Sequence, residues 1–172
     1  MTETSKEENT PRLPETVSCV LGTKVSYDKF KEHYQQVYDQ ILAMDHLLLG
    51  RVVYDGKVGR LEYQIGSLRL VETNLLRSIF SADTNFAVAN GDYDLCRLTM
   101  ALQMVSGSPL GTVSPTSDMT LAQWKDRAAV QLGVINQYDE QLVTYLLAVL
   151  TDVEQAKQFA FAELLPDPSE PH

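Results

Sequence analysis

The chain has 172 residues, a formal net charge of −9 and an apolar fraction of 44%. That length suits one domain with a buried core. The negative charge argues against binding to nucleic acid phosphate or anionic lipid, both of which need a basic face, and no run of Lys and Arg supplies one locally.

Residues 1–16 carry Pro11 and Pro14 among Thr, Glu and Ser and read as an extended polar arm. They lack the apolar stretch of a signal peptide. Apolar runs such as Leu47-Leu48-Leu49 fall far short of the ~20 residues of a membrane-spanning helix, so the expected location is a cytoplasm. Val17–Val25 is short and mixed, as one strand would be. Tyr27, Phe30, Tyr34, Val37, Ile41, Met44 and Leu48 then fall at alternating steps of three and four. That seam predicts one long amphipathic helix over 27–49, started by Ser26 and ended by Gly50. Lys29, Lys31, Glu32, Gln35, Gln36, Asp39 and Gln40 form its polar face.

The period then changes to two. Arg51–Tyr54 leads to Asp55-Gly56, a turn signal, and Leu61, Tyr63 and Ile65 alternate with Arg60, Glu62 and Gln64. A β-hairpin over Arg51–Ile65 is predicted. An isolated hairpin is marginal, so it must pack on a helix or pair with another edge, from Val17–Leu21 or from a partner chain.

A helix over Leu70–Phe80 follows, with Leu75, Leu76, Ile79 and Phe80 inward. Asp83–Asp92 is turn-rich, with Asn90-Gly91 as a turn and Asp92 or Asp94 as the N-cap of a helix to Val105. Ser106–Met119 reads as a long loop. Thr120 and Gln123 have the spacing of a capping box and open a helix over Leu121–Ile135 that buries Trp124. After a break at Asn136, a long helix over Tyr138–Leu165 carries Leu142, Leu146, Val149, Val153, Ala156, Ala160 and Leu164 on one face. The expected fold is α+β, mainly α: about five helices, two of them long and amphipathic near the ends, plus a small antiparallel β-hairpin. One domain spans 17–165, between the arm at 1–16 and a polar tail at 166–172.

No chemical constellation accompanies these elements. His33 and His46 are thirteen residues apart on the first helix, and no His-x-x-x-His, Glu-x-x-His or Cys-x-x-Cys occurs. The Asp83–Asp94 cluster fails the EF-hand spacing. Gly107-Ser108-Pro109-Leu110-Gly111 lacks the nucleophile-elbow order, and Gly56-Lys57-Val58-Gly59 is no phosphate loop. Cys19 and Cys96 read as free thiols. Neither catalytic, cofactor-binding nor metal-binding residues are expected, and the chain is read as a non-enzyme.

Tyrosines are the enriched feature. Tyr27, Phe30, Tyr34, Val37 and Tyr38 on the first helix, with Tyr54 and Tyr63 in the hairpin, have two readings. They line a seam inside one fold, or they form a contact surface for a partner, which suits a residue that is apolar at its base and polar at its tip.

The order of elements also resembles a known group. The alternating strand Gly59–Ile65 runs into Leu68-Arg69-Leu70-Val71-Glu72 and a helix. A helix with Arg97 leaves through Val105-Ser106-Gly107; a Trp124-Lys125-Asp126-Arg127 helix, a break at Asn136-Gln137-Tyr138 and a long closing helix complete the series. Over 59–165 this is similar to small tail-assembly chaperones and baseplate-hub accessory proteins of tailed bacteriophages, in which a strand pair precedes a helical body. The helix before the hairpin departs from that pattern and favours a structural variant. The resemblance implies a non-enzymatic structural or assembly protein of a phage tail or baseplate, acting through contacts with other protein subunits. A homo-oligomer is a further expected partner, and the acidic charge leaves out nucleic acid and membrane. It would reside in the host cytoplasm during assembly and in the virion. The alternatives are a cytoplasmic assembly chaperone absent from the mature particle, and a cellular helical adaptor or small-ligand-binding protein with a pocket near the Ser106–Met119 loop and Trp124.

Overall fold

A computed structural model describes residues 13–43, 51–82 and 85–165. The first described elements are two strands rather than one: β1 (Thr16–Cys19) and β2 (Gly22–Ser26) form an antiparallel hairpin. Ser26 caps the following helix as its sequence position predicts, its hydroxyl accepting from the Lys29 amide at 3.3 Å. The predicted long helix is two helices, α1 (Tyr27–His33) and α2 (Gln35–Leu42), divided at Tyr34 (φ −103°, ψ 28°). Heptad spacing cannot reveal this break, because the Tyr34 hydroxyl is held by a distant carboxylate that only the fold brings near. The expected continuation through Met44 and Leu48 to Gly50 lies outside the described residues.

The second sheet has four antiparallel strands in the order β3 (Val53–Val58), β4 (Leu61–Gly66), β5 (Leu102–Val105), β6 (Ser108–Pro109). The predicted hairpin is present, but its turn is Gly59-Arg60, with Gly59 at φ 59°, and Asp55-Gly56 lies within β3. Gly56 serves packing instead. It pairs with Tyr63, and a Cβ there would lie 2.3 Å from the Tyr63 ring. The edge expected from Val17–Leu21 or another chain comes from β5, a segment that the helical pattern assigns to the end of a helix. Ser106 and Gly107, both at positive φ (53° and 78°), return the chain into β6, the conformation a tight hairpin turn requires.

The helices that cover this sheet are α3 (Leu70–Ala82), α4 (Phe86–Ala101), α5 (Leu121–Arg127), α6 (Ala129–Ile135) and α7 (Glu140–Leu164). Helix α4 begins before the expected turn at Asn90-Gly91, so Asp92 is a mid-helix residue that accepts from Lys125 Nζ at 2.7 Å. The Thr120–Gln123 capping box forms in both directions, but the helix it opens divides at the buried Ala128. Asp139 caps α7. The α+β, mainly helical class is as expected; the count is not. Seven helices and two sheets stand among the described residues in place of five helices and one hairpin.

Two apolar clusters result. The larger joins α1, α2 and α7 to both sheets through Phe30, Val37, Ile41, Ile65, Leu146, Val149 and Val153. The smaller joins α3, α4 and α5 through Leu76, Ile79, Met100, Met119 and Trp124. Phe80, expected inward on α3, is 43% exposed and lies against the Tyr93 ring. Among the described residues no helix is long and apolar enough to cross a membrane.

The two glycines Gly56 and Gly91 should respond oppositely to the same change. Gly56→Ala forces a methyl into the Tyr63 ring and should cost about 1–3 kcal/mol, the usual range for overpacking. Gly91→Ala, in a helix with nothing within 4 Å of the new methyl, should stabilise by about 0.5–1 kcal/mol. Denaturant titration of both variants measures the difference.

Candidate functional site

The seven residues singled out by sequence do come together, inside the molecule. Phe30, Tyr34 and Val37 are fully buried, Tyr38, Tyr54 and Tyr63 nearly so, and Tyr27 is half-buried. Phe30 packs against Tyr34 and Phe159, and Tyr27 meets Phe159 edge-on at 5.7 Å. The Tyr27 and Tyr38 hydroxyls are 2.8 Å apart. Tyr34 and Tyr54 rings lie 5.0 Å apart, and Tyr63 extends the series to Tyr145 on α7. The six buried side chains therefore line an internal seam in the single chain, with Tyr27 at its edge. Apolar stripes on α1 and α2 found their partner in α7 of the same molecule.

At the centre is a residue the sequence analysis passed over, Asp152. It is 2% exposed within the apolar stripe of α7. Its Oδ2 accepts from the Tyr34 hydroxyl at 2.6 Å and from the Val20 amide at 2.9 Å. Burial pushes its carboxyl above the usual aspartate range, while the two hydrogen bonds and the nearby His33 pull it back. Burial, reinforced by the bond to Asp152, raises the Tyr34 phenol far above its ordinary value. A legible signal existed: Asp152 stands three residues after Val149 and four before Ala156, a core position for a charged side chain.

A second buried polar centre joins the sheet to the smaller cluster. Arg51 Nη2 donates to both oxygens of Glu72 at 2.6 and 2.7 Å, and its Nη1 donates to the Ser67 and Met100 carbonyls. Glu72 is fully buried and also accepts from the Arg69 amide. Gly66 lets the arginine pass, since a Cβ there would meet Arg51 Cδ at 2.8 Å.

Among the described residues no group of three or more His, Cys, Asp or Glu side chains could hold a metal ion. Cys96 is buried and its thiol is pushed up to about 12, by burial first and by the Asp92 carboxylate beside it, so it is no thiolate at neutral pH. The 106–119 segment is tied down. Trp124 is fully buried and donates from Nε1 to the Val113 carbonyl at 2.7 Å; Gln131 binds the Gly111 carbonyl, and Arg69 binds the Ser114 hydroxyl. Trp124 thus fastens this loop.

Open space lies on the other side of the loop. A groove of about 710 Å³ runs between α3 and the start of α5, lined by Leu70, Val71, Leu75, Met119 and Leu121 with Asn74 and Ser78. Leu70 is 73% exposed there. A polar recess of about 400 Å³ adjoins it through Thr116 and Met119, and carries Asp118, Asp126 and Arg127. Fold and site together define a helical α+β protein with a polar-jointed core and an apolar surface groove. No family model, curated protein or solved structure matches the chain.

Both buried centres generate predictions. The raised Asp152 carboxyl means that its contribution to stability is present below the unfolded value of about 3.9 and is lost as pH rises through the folded value. Asp152→Asn keeps an acceptor but does not titrate. Thermal melts should show the variant gaining on the wild type as pH rises from about 4 to 7, whereas Asp152→Ala strands two donors at about 1–3 kcal/mol each. Arg51→Met removes the two-pronged partner of buried Glu72, leaving it only the Arg69 guanidinium at 3.6 Å, and should cost about 3 kcal/mol. Adding Glu72→Gln should recover part of that loss in urea titrations.

Proposed function

We propose that this protein works without catalysis, through contacts with other proteins, as a structural or assembly component of a bacteriophage tail or baseplate. The placement in a phage tail rests on the resemblance of residues 59–165. The contact mode rests on one observation: the apolar groove between α3 and α5, with Leu70 standing in solvent at its lining. Grooves of this composition accept the apolar face of a partner helix or segment, and a large exposed apolar side chain beside one marks a contact site. Val130 and Val134, one turn apart on α6, are exposed as well, the first by 75%.

This reading moves the contact away from the residues that the sequence offered. The tyrosine seam is occupied by α7, so substitutions there would report on folding. Leu70 is the first residue of α3, where an acidic side chain suits the helix dipole, so it can be changed without disturbing the core.

A tagged chain expressed with the tail and baseplate proteins of a phage should recover at least one of them. Leu70→Asp should lower that recovery about tenfold, the effect of losing ~1.4 kcal/mol of binding, with its melting temperature unchanged. Equal recovery by both chains removes the groove from the contact, and no recovery by the wild type removes the assembly reading. Mass spectrometry of purified particles separates a component, present at fixed stoichiometry, from a chaperone, which is absent.

A further inference from the structure

Strand β3 is an edge of the four-stranded sheet. Its pairing with β4 turns Tyr54, Gly56 and Val58 toward the sheet, so the backbone groups of Val53, Asp55 and Lys57 point outward. An unpaired edge of this kind is a template for another strand. Here two glutamines cover it. Gln40 donates from Nε2 to the Val53 carbonyl at 2.6 Å and accepts from the Val53 amide at 2.8 Å. Gln36 does the same for Asp55, at 2.9 and 2.8 Å. Each primary amide thereby presents the donor and acceptor that a neighbouring peptide group would present.

The match follows from two periods. Residues i and i+4 of a helix are about 6 Å apart along its axis, and alternate residues of a strand are about 6.6–6.8 Å apart. Gln36 and Gln40 on α2 therefore meet Asp55 and Val53 on β3 without strain in either element. The cover stops one position short: no described side chain bonds the Lys57 backbone.

We propose that β3 is a latent self-association edge held closed by Gln36 and Gln40, and that the occupant it fits once they are removed is β3 of a second copy. Charge selects that occupant. An antiparallel pair centred on Gly56 sets Asp55 directly opposite the partner's Lys57, and Lys57 opposite the partner's Asp55. The two-fold repeat supplies two opposite-charge pairs on one face, in an isologous contact. At the centre the two Gly56 residues bring no side chains to obstruct the approach. The proposal is independent of the phage reading.

The test uses the full chain and light scattering after size exclusion over a hundredfold range of concentration. The wild type should be a monomer throughout. The Gln36→Ala/Gln40→Ala variant should become a dimer, with its midpoint at least tenfold below any wild-type association. Adding Lys57→Glu, which sets like charges against Asp55, should restore the monomer, and Asp55→Lys/Lys57→Asp in the double variant should restore the dimer. Amide exchange at Val53 and Asp55 should be slow in the wild type, fast in the diluted double variant and slow again in its dimer. If the double variant does not fold, Gln36→Ala alone, which opens only the exposed half of the cover, should dimerise at higher concentration. A folded variant that stays monomeric, a dimer indifferent to Lys57→Glu, or a wild type already paired through this edge overturns the proposal.

Discussion

The structure depends on the two donors that one buried carboxylate oxygen holds. Asp152 sits in the apolar stripe of the longest helix, and an ionisable group there is costly unless it is bonded. It is bonded by a phenol from the joint of α1 and α2 and by an amide from the turn of the first hairpin. The first hairpin, the α1–α2 joint and the distant α7, more than a hundred residues further on, are held at one point. The helix break at Tyr34 belongs to the same constraint, because the side chain at the break is the one that α7 holds. Around this point the tyrosine rings fill space that aliphatic side chains would leave uneven, and each phenol hydroxyl reaches a polar neighbour.

Arg51 and Glu72 do for the second cluster what Asp152 does for the first. Geometry rather than charge makes the pair effective. The planar guanidinium takes both carboxylate oxygens and has further donors for the Ser67 and Met100 carbonyls. One side chain thereby fixes the approach to β3, the exit of β4 and the end of α4. A buried pair of this kind is weak evidence for stability against an apolar replacement. It specifies which way the sheet meets the helices, since a sliding apolar contact has no such directional demand.

The surface follows from these internal choices. With the tyrosine seam filled by α7 and the β3 edge filled by glutamine amides, the faces with the strongest sequence signals for partner binding are spent within the chain. The groove beside α3 is left open because the 106–119 segment is drawn toward Trp124, Arg69 and Gln131.

Local rules made much of this legible. The Ser26 cap, the Thr120–Gln123 box, the stripe of α7 and the alternation of β4 all depend on residues within a few positions of one another, and all are present as read. The places where the reading was overturned share a different cause. Asp55-Gly56 is a good turn by propensity, but Gly56 is required under the Tyr63 ring, so the turn moved to Gly59. Leu102–Val105 continues a helical pattern, yet β4 has a free edge that captures it as a strand. Gln36 and Gln40 read as a solvated face, although their spacing matches strand residues 13 and 19 positions further on. By itself the sequence determined the helical class, the caps and the apolar stripes, because those obey the period of a single element. Only the tertiary structure decided which stripe met which, where the long helix broke and which surface stayed open, because those depend on hydrogen bonds between different elements, from 11 to 132 positions apart in sequence.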